Sequence, residues 1–236
     1  MRARCGCSSP ARCRYLAPVL GGGAALLVAL SVAAFALHPA RIDRGWRTVY
    51  DGYGKVGVEQ TEDGEQVHYL SPMRPERPDE THAALKTTVK RYRDLELTLR
   101  ARTIRQLRQH GAPNPWETAW VIWHYQDDRH FYYLTLKPNG WEIGKRDPAY
   151  QGDQRFLASD KVPVYYFNTW YDVRIVQVGD TIAVWANGMA LARFRDLESA
   201  YRQGRVGLYV EDAYAQFADV HIQPARAAAL GRVSPW

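Results

Sequence analysis

From Leu95 to Arg102 apolar and polar side chains alternate without a break: Leu95, Leu97, Leu99 and Ala101 against Glu96, Thr98, Arg100 and Arg102. A period of two puts each set on one face of an extended chain and predicts a half-buried strand over 95–104. Similar apolar or alternating runs lie upstream at Trp46 to Tyr50, Val56 to Gln60, Gln66 to Leu70 and Ala84 to Val89. Downstream they recur at Arg155 to Ser159, Tyr171 to Val178, Thr181 to Ala186, Met189 to Phe194, Arg205 to Glu211 and Gln216 to Ile222. Between them stand hairpin turns: Asp63-Gly64, Gly179-Asp180 and Asn187-Gly188, residue pairs that take turn dihedrals cheaply. A short helical turn is expected near Leu197 to Tyr201, and no longer helix outside the N-terminal leader. Many short strands without alternating helices predict an all-β, two-sheet antiparallel jelly-roll sandwich.

The densest part of the pattern is Trp116 to Asp147, WETAWVIWHYQDDRHFYYLTLKPNGWEIGKRD. It divides into strands at Thr118 to Gln126, Phe131 to Lys137 and Trp141 to Lys145, with turns at Gln126 to Arg129 and Pro138 to Gly140. Aromatic and β-branched residues favour a pleated surface. Here Trp, Tyr and His occupy both phases of the alternation, so one face is expected to pack the core and the other to carry open rings.

The N-terminus breaks the pattern. Residues 1–14 are polar and basic, and Tyr15 to Leu37 holds no charge. Pro18 and Gly21 to Gly23 shorten its apolar core to about Ala24 to Phe35, and Ala34-Phe35-Ala36 has the small-x-small form of a signal peptidase site. We therefore read 1–36 as a signal peptide, or as an uncleaved signal anchor. The remaining boundaries are a linker at 37–45, one domain at 46–223 and a loose tail at 224–236. Arginines ahead of the apolar run keep that end cytoplasmic and send the rest across. The expected location is periplasmic, extracellular or anchored at the outer face of the cytoplasmic membrane, with membrane contact only through an uncleaved leader. Cys5, Cys7 and Cys13 all lie in the basic head, so no disulfide is expected in the domain.

Composition narrows the function classes. The net charge is +6, but Arg2, Arg4, Arg12 and Arg14 belong to the acid-free head. The rest is close to neutral, and nucleic-acid binding, which needs a concentrated basic field, is not expected. With 8 Trp and 15 Tyr, the chain has more rings than a core of this size ordinarily uses.

The segments W-Y-D-V-R-I-V-Q-V-G-D-T-I-A-V-W-A-N-G at Trp170 to Gly188, F-R-D at Phe194 to Asp196, G-R-V-G-L-Y-V-E-D-A at Gly204 to Ala213 and F-A-D-V-H-I at Phe217 to Ile222 together resemble the concanavalin A-like lectin/glucanase superfamily. Within it, the segments are similar to the bacterial branch grouped with laminin-G-like and 3-keto-disaccharide hydrolase-like domains. The resemblance spans Trp46 to Gln223. It implies two curved antiparallel sheets with sugar bound on the concave face and, in some members, a structural calcium at the rim. For such a calcium the rim candidates are Asp51 and Asp219; no other cofactor is expected, and His spacing gives no zinc site.

Retaining glycosidases of that superfamily carry Glu-x-Asp-x-x-Glu on one strand, with two carboxylates roughly 5 Å apart. No strand here has it. Glu59, Glu62 and Glu65 straddle a hairpin, and the adjacent Glu211 and Asp212 point to opposite faces. Opposite the core phase stand Trp120, His124, Tyr133 and Lys137, with Arg100, Arg102 and Glu142 on further strands. Gathered on one face, these seven would offer rings for sugar C–H surfaces and polar groups for hydroxyls. The expected partner is thus a carbohydrate or cell-envelope glycan. The alternative is a glycoside-active hydrolase or lyase using His124, Tyr133, Glu142 or Lys145, and a third reading is a structural envelope domain with no small ligand.

Overall fold

The computed structural model describes residues 42–43 and 45–231. The leader, its cysteines, most of the linker and the last five residues lie outside the described residues. In chain order the strands are β1 (Ile42–Asp43), β2 (Trp46–Tyr50), β3 (Lys55–Gln60), β4 (Gln66–Ser71) and β5 (Ala83–Thr88). The central ones are β6 (Leu95–Gln106), β7 (Ala119–Asp127), β8 (His130–Lys137), β9 (Gly140–Arg146) and β10 (Gln154–Asp160). The last are β11 (Tyr171–Val178), β12 (Thr181–Ala186), β13 (Met189–Arg195), β14 (Arg205–Glu211) and β15 (Ala213–Pro224).

They form two antiparallel sheets, one of eight strands in the order β1-β2-β5-β14-β7-β8-β9-β10 and one of seven in the order β13-β12-β11-β6-β15-β4-β3. Leu95, Leu97 and Leu99 of β6 face Val121, Trp123, Leu134, Ile143, Val206 and Leu208 of the other sheet in one core. Each such side chain, fully buried, stabilises by roughly 1.5–3 kcal/mol. The jelly-roll expectation holds. No helical turn forms over 197–201. The proximal tail is also not loose: Ala227–Leu230 make a 3-10 turn, and Leu230 packs with Val176, Ala183 and Ala225 on the outside of the seven-stranded sheet. Among the described residues no helix is long and apolar enough to cross a membrane.

Two buried charge clusters pin loops to this frame. Arg108 bonds Glu117 Oε1 at 2.6 Å and Asp212 Oδ2 at 2.6 Å, and also donates to the carbonyls of Pro78 and Glu80. Lys145 Nζ reaches Asp196 Oδ2 at 2.9 Å, Asp147 Oδ2 at 3.2 Å and the Glu198 carbonyl at 2.5 Å.

Candidate functional site on the outer face of the eight-stranded sheet

Register brings distant residues into rows on the face turned away from the core. One row runs Leu85, Tyr209, Trp120, Thr135, Glu142 across β5, β14, β7, β8 and β9. The next runs Thr87, Gly207, Ile122, Tyr133, Gly144, Phe156 and ends on β10. Tyr133 lies flat over Gly144, where a Cβ would stand 2.2 Å from the Tyr133 hydroxyl. Its hydroxyl donates to Glu142 Oε1 at 2.8 Å and accepts from Gln154 Nε2. Lys137 Nζ takes Glu142 Oε2 at 2.7 Å. Trp120 stacks obliquely on Tyr133 with ring centroids 4.7 Å apart, meets Tyr209 edge-on at 5.4 Å, and donates its indole N–H to the Trp116 carbonyl at 2.7 Å.

Trp120, Tyr133, Lys137 and Glu142 therefore do share one face, as the alternation predicts. The expectation of open rings there needs correction. Trp120 is 5% exposed and Tyr133 0%, because these large rings fill the trough between their neighbours. Sequence reasoning missed the rings that do reach solvent on this face: Phe156, 58% exposed, and the half-buried Tyr50 and Trp116. Phe156 carries a signal in retrospect, a large apolar residue in a strand rich in polar ones.

Also missed was the acid beneath them. Tyr209 donates to Glu211 Oε1 at 2.6 Å, since residues two apart on a strand share a face. Burial pushes the Glu211 carboxyl up to about 7, the neighbouring Asp212 adds to this, and Arg146 opposes it. The Tyr133 hydroxyl is raised well above its ordinary value, first by burial and then by Glu142. Glu211 stands three strand spacings from Glu142, about 14 Å across the sheet at roughly 4.8 Å per strand. That is not the close carboxylate pair of a retaining glycosidase.

The other expected site residues go elsewhere. His124 has φ +50° at a break in the β7–β8 register between Trp123 and Asp127. The extra residue turns its ring inward, 1% exposed, between the carbonyls of Tyr201 (2.6 Å) and Arg93 (2.9 Å). Burial lowers its pKa although both carbonyls favour the cation. Lys145 is opposite Tyr132 in the register, on the core side, and is spent on the Asp196 cluster.

Arg100 and Arg102 belong to the seven-stranded sheet, and their side chains lie over the Trp170 ring, 5.1 and 4.5 Å from its centroid. Arg100 bonds Glu65 and Asp219, and Arg102 bonds Gln216. Four of the seven expected ligand-binding residues thus share the face and three do not. Periodicity cannot say which sheet a strand joins. Asp51 caps its own turn through the Tyr53 N–H at 3.0 Å and Asp219 is engaged by Arg100. Among the described residues no group of three acids, histidines or cysteines is placed to hold a metal.

Comparison with solved structures agrees on architecture. The Bacillus subtilis carbohydrate binding module CBM66 superposes with a TM-score of 0.54 at 16% identity, over 76% of this chain and 95% of that one. A Bacillus licheniformis beta-glucanase gives 0.52 at 10% identity, over 79% and 95%. A Bacteroides ovatus mixed linkage glucan GH16 protein, solved with a G4G4G3G product, gives 0.53 at 7% identity, over 78% and 97%. At these identities the likeness is one of fold. No curated protein matches the sequence. Residues 42–223, nearly all of the described sandwich, match a family whose description names its chemistry, and on that match the chain belongs to the 3-keto-alpha-glucoside-1,2-lyase-like domain family.

Proposed function

We propose that this is an exported carbohydrate-recognising jelly roll that holds a glycan across the outer face of its eight-stranded sheet. The carrying observation is the Tyr133–Glu142–Lys137 network, with Phe156 beside it in register and the half-buried Trp116 and Tyr50 farther along the same face. A fixed carboxylate and ammonium supply directed hydrogen bonds, and the rings at the margins supply apolar surface for sugar C–H groups. The family and the fold of its neighbours support a saccharide ligand, and the uncharged N-terminal run supports export. A glycan array probed with the purified protein tests the reading. Retention of one glycan class, weakened by Phe156→Ala and Glu142→Gln, is the expected result; uniform failure to bind would end it.

A second reading, elimination on a 3-keto-glucoside, is favoured by the Glu211 carboxyl, which accepts the Tyr209 hydroxyl at 2.6 Å and which burial raises to about 7. A base that removes the proton from C2, next to the ketone, lets a C1–C2 double bond form as the C1–O1 bond breaks and O1 leaves with a proton. Such a base works best with a pKa close to the operating pH. Incubation with a 3-keto-α-glucoside, followed by ultraviolet absorbance of the unsaturated ketone, tests it. Turnover abolished by Glu211→Gln supports the lyase; no turnover leaves recognition alone.

A further inference from the structure

At one end of the same face three arginines converge from separate segments without a counter-charge. Arg205 opens β14 and pairs in register with Tyr125. Tyr92 and Gly204 form an isolated antiparallel bridge, with N–H to carbonyl distances of 2.7 and 2.9 Å, and this sets Arg91 opposite Arg205. Arg47 pairs with Thr87, which pairs with Gly207, and Arg47 Nε points to the Thr87 hydroxyl at 3.4 Å. None of the three forms an ion pair among the described residues. Asp128, the acid on this side, accepts the Tyr125 hydroxyl at 2.8 Å and is not within ion-pairing distance of any of them.

The arrangement is costly. Like charges opposite one another on paired strands destabilise a sheet. Arg205 Nε is, in addition, buried with no hydrogen-bond partner, a loss ordinarily avoided inside proteins. Burial lowers the Arg205 pKa, and Arg47 and Arg91 lower it further. An oxyanion removes all of these penalties at once, since a guanidinium fork matches carboxylate, sulfate and phosphate geometry.

We propose that Arg47, Arg91 and Arg205 bind an oxyanion carried on the glycan, so that this domain selects acidic over neutral saccharides. The inference rests on the glycan-binding reading above and names the ligand class. Arg47 shares one register row, through Thr87, Gly207, Ile122, Tyr133 and Gly144, with the exposed ring of Phe156, six strand spacings or about 29 Å away at roughly 4.8 Å per strand. That span suits an extended oligosaccharide with its charged unit at the arginine end. A small free anion would use only one end of the row.

Two measurements on the purified protein test this. The first is a glycan array carrying neutral glycans beside their uronate, sulfated and phosphorylated counterparts. Acidic members should be retained over neutral ones by at least about 10-fold at low salt, the equivalent of one charge-assisted hydrogen bond. The ratio should fall to about 1 in Arg47→Gln and in Arg91→Gln, because the gain needs the whole cluster. The acidic set that responds names the source of the oxyanion. Equal retention of neutral and acidic glycans, or a preference that survives both substitutions, overturns the proposal while leaving glycan recognition intact. The second is a titration with inorganic sulfate followed by NMR of the arginine Nε–H groups. A saturable shift of Arg205, lost in Arg91→Gln, supports the site even if every glycan fails and the broader reading falls with them. No shift overturns it.

Discussion

The Tyr133 hydroxyl donates to Glu142 Oε1 at 2.8 Å while Lys137 holds Oε2 at 2.7 Å, so both oxygens of one carboxylate are fixed by neighbours on its own sheet. A group held this way is preorganised for a ligand on the outer face, and each oxygen keeps a lone pair that can accept from a sugar hydroxyl.

Glu211 makes stability depend on pH. Its unfolded carboxyl titrates near 4.5 and its folded one near 7, so between these values the folded chain keeps a proton that the unfolded chain has released. The contribution is fully present below pH 4.5 and is lost as pH rises through 7, by up to about 3 kcal/mol at roughly 1.4 kcal/mol per pH unit. Urea unfolding of the parent between pH 5 and 8 should show that decline. In Glu211→Gln, where the Tyr209 hydroxyl keeps an acceptor, the slope above pH 6 should largely disappear, leaving below it the share of Asp212, whose carboxyl burial raises to about 6. Parallel slopes would mean that Glu211 does not titrate in this window.

Asp196 behaves oppositely. Burial works against its charge, yet hydrogen bonds from Tyr132, Lys145 and the Glu198 N–H hold its carboxyl below the usual range. Asp196→Asn leaves Lys145 buried without its main partner and should cost about 3–5 kcal/mol in urea unfolding. Replacing both, Lys145→Met with Asp196→Leu, should recover part of the loss.

Gly204 permits the inward turn of His124. A Cβ at position 204 would stand 2.2 Å from the His124 carbonyl carbon and 2.5 Å from its Cα, backbone atoms with nowhere to move. Gly204→Ala should therefore destabilise by about 1–3 kcal/mol or more. It should also disturb the Arg91–Arg205 pairing that the Tyr92–Gly204 bridge sets. Thermal melts of this variant beside the parent check the first point.

A calcium at the rim through Asp51 and Asp219 would compete with Arg100, which holds Asp219 Oδ2 at 2.9 Å. EDTA is expected to leave the melting temperature unchanged. A drop of several degrees, restored by calcium alone, would return the ion to the account.

The strands were legible from their apolar and β-branched runs between turn signals, with a period of two cleanest in β6, and β2, β11, β12 and β14 run between the very residues that those signals mark. Half of the site was legible for the same reason: Trp120, Tyr133 and Lys137 keep phase on adjacent hairpin strands, and Glu142 follows across one more turn. What lay hidden depends on spatial order. Nothing local says that β14 sits beside β7, so Tyr209, Glu211 and Arg205 could not be placed next to Trp120 and Tyr125. Nor does periodicity reveal that β6 crosses to the other sheet, which removed Arg100 and Arg102. The left-handed backbone at His124, a residue type that reaches this region more readily than most, reversed the phase within a single strand.

The central claim is that the outer face of the eight-stranded sheet holds a saccharide. The most direct test is isothermal titration of the glycan best retained on the array against the parent, Phe156→Ala and Arg102→Gln, the last altering the opposite sheet. The account predicts binding weakened about 10-fold or more by Phe156→Ala, the loss of a ring contact worth roughly 1–2 kcal/mol, and unchanged by Arg102→Gln. Binding that ignores Phe156 and fails in Arg102→Gln would place the ligand on the other sheet and contradict it.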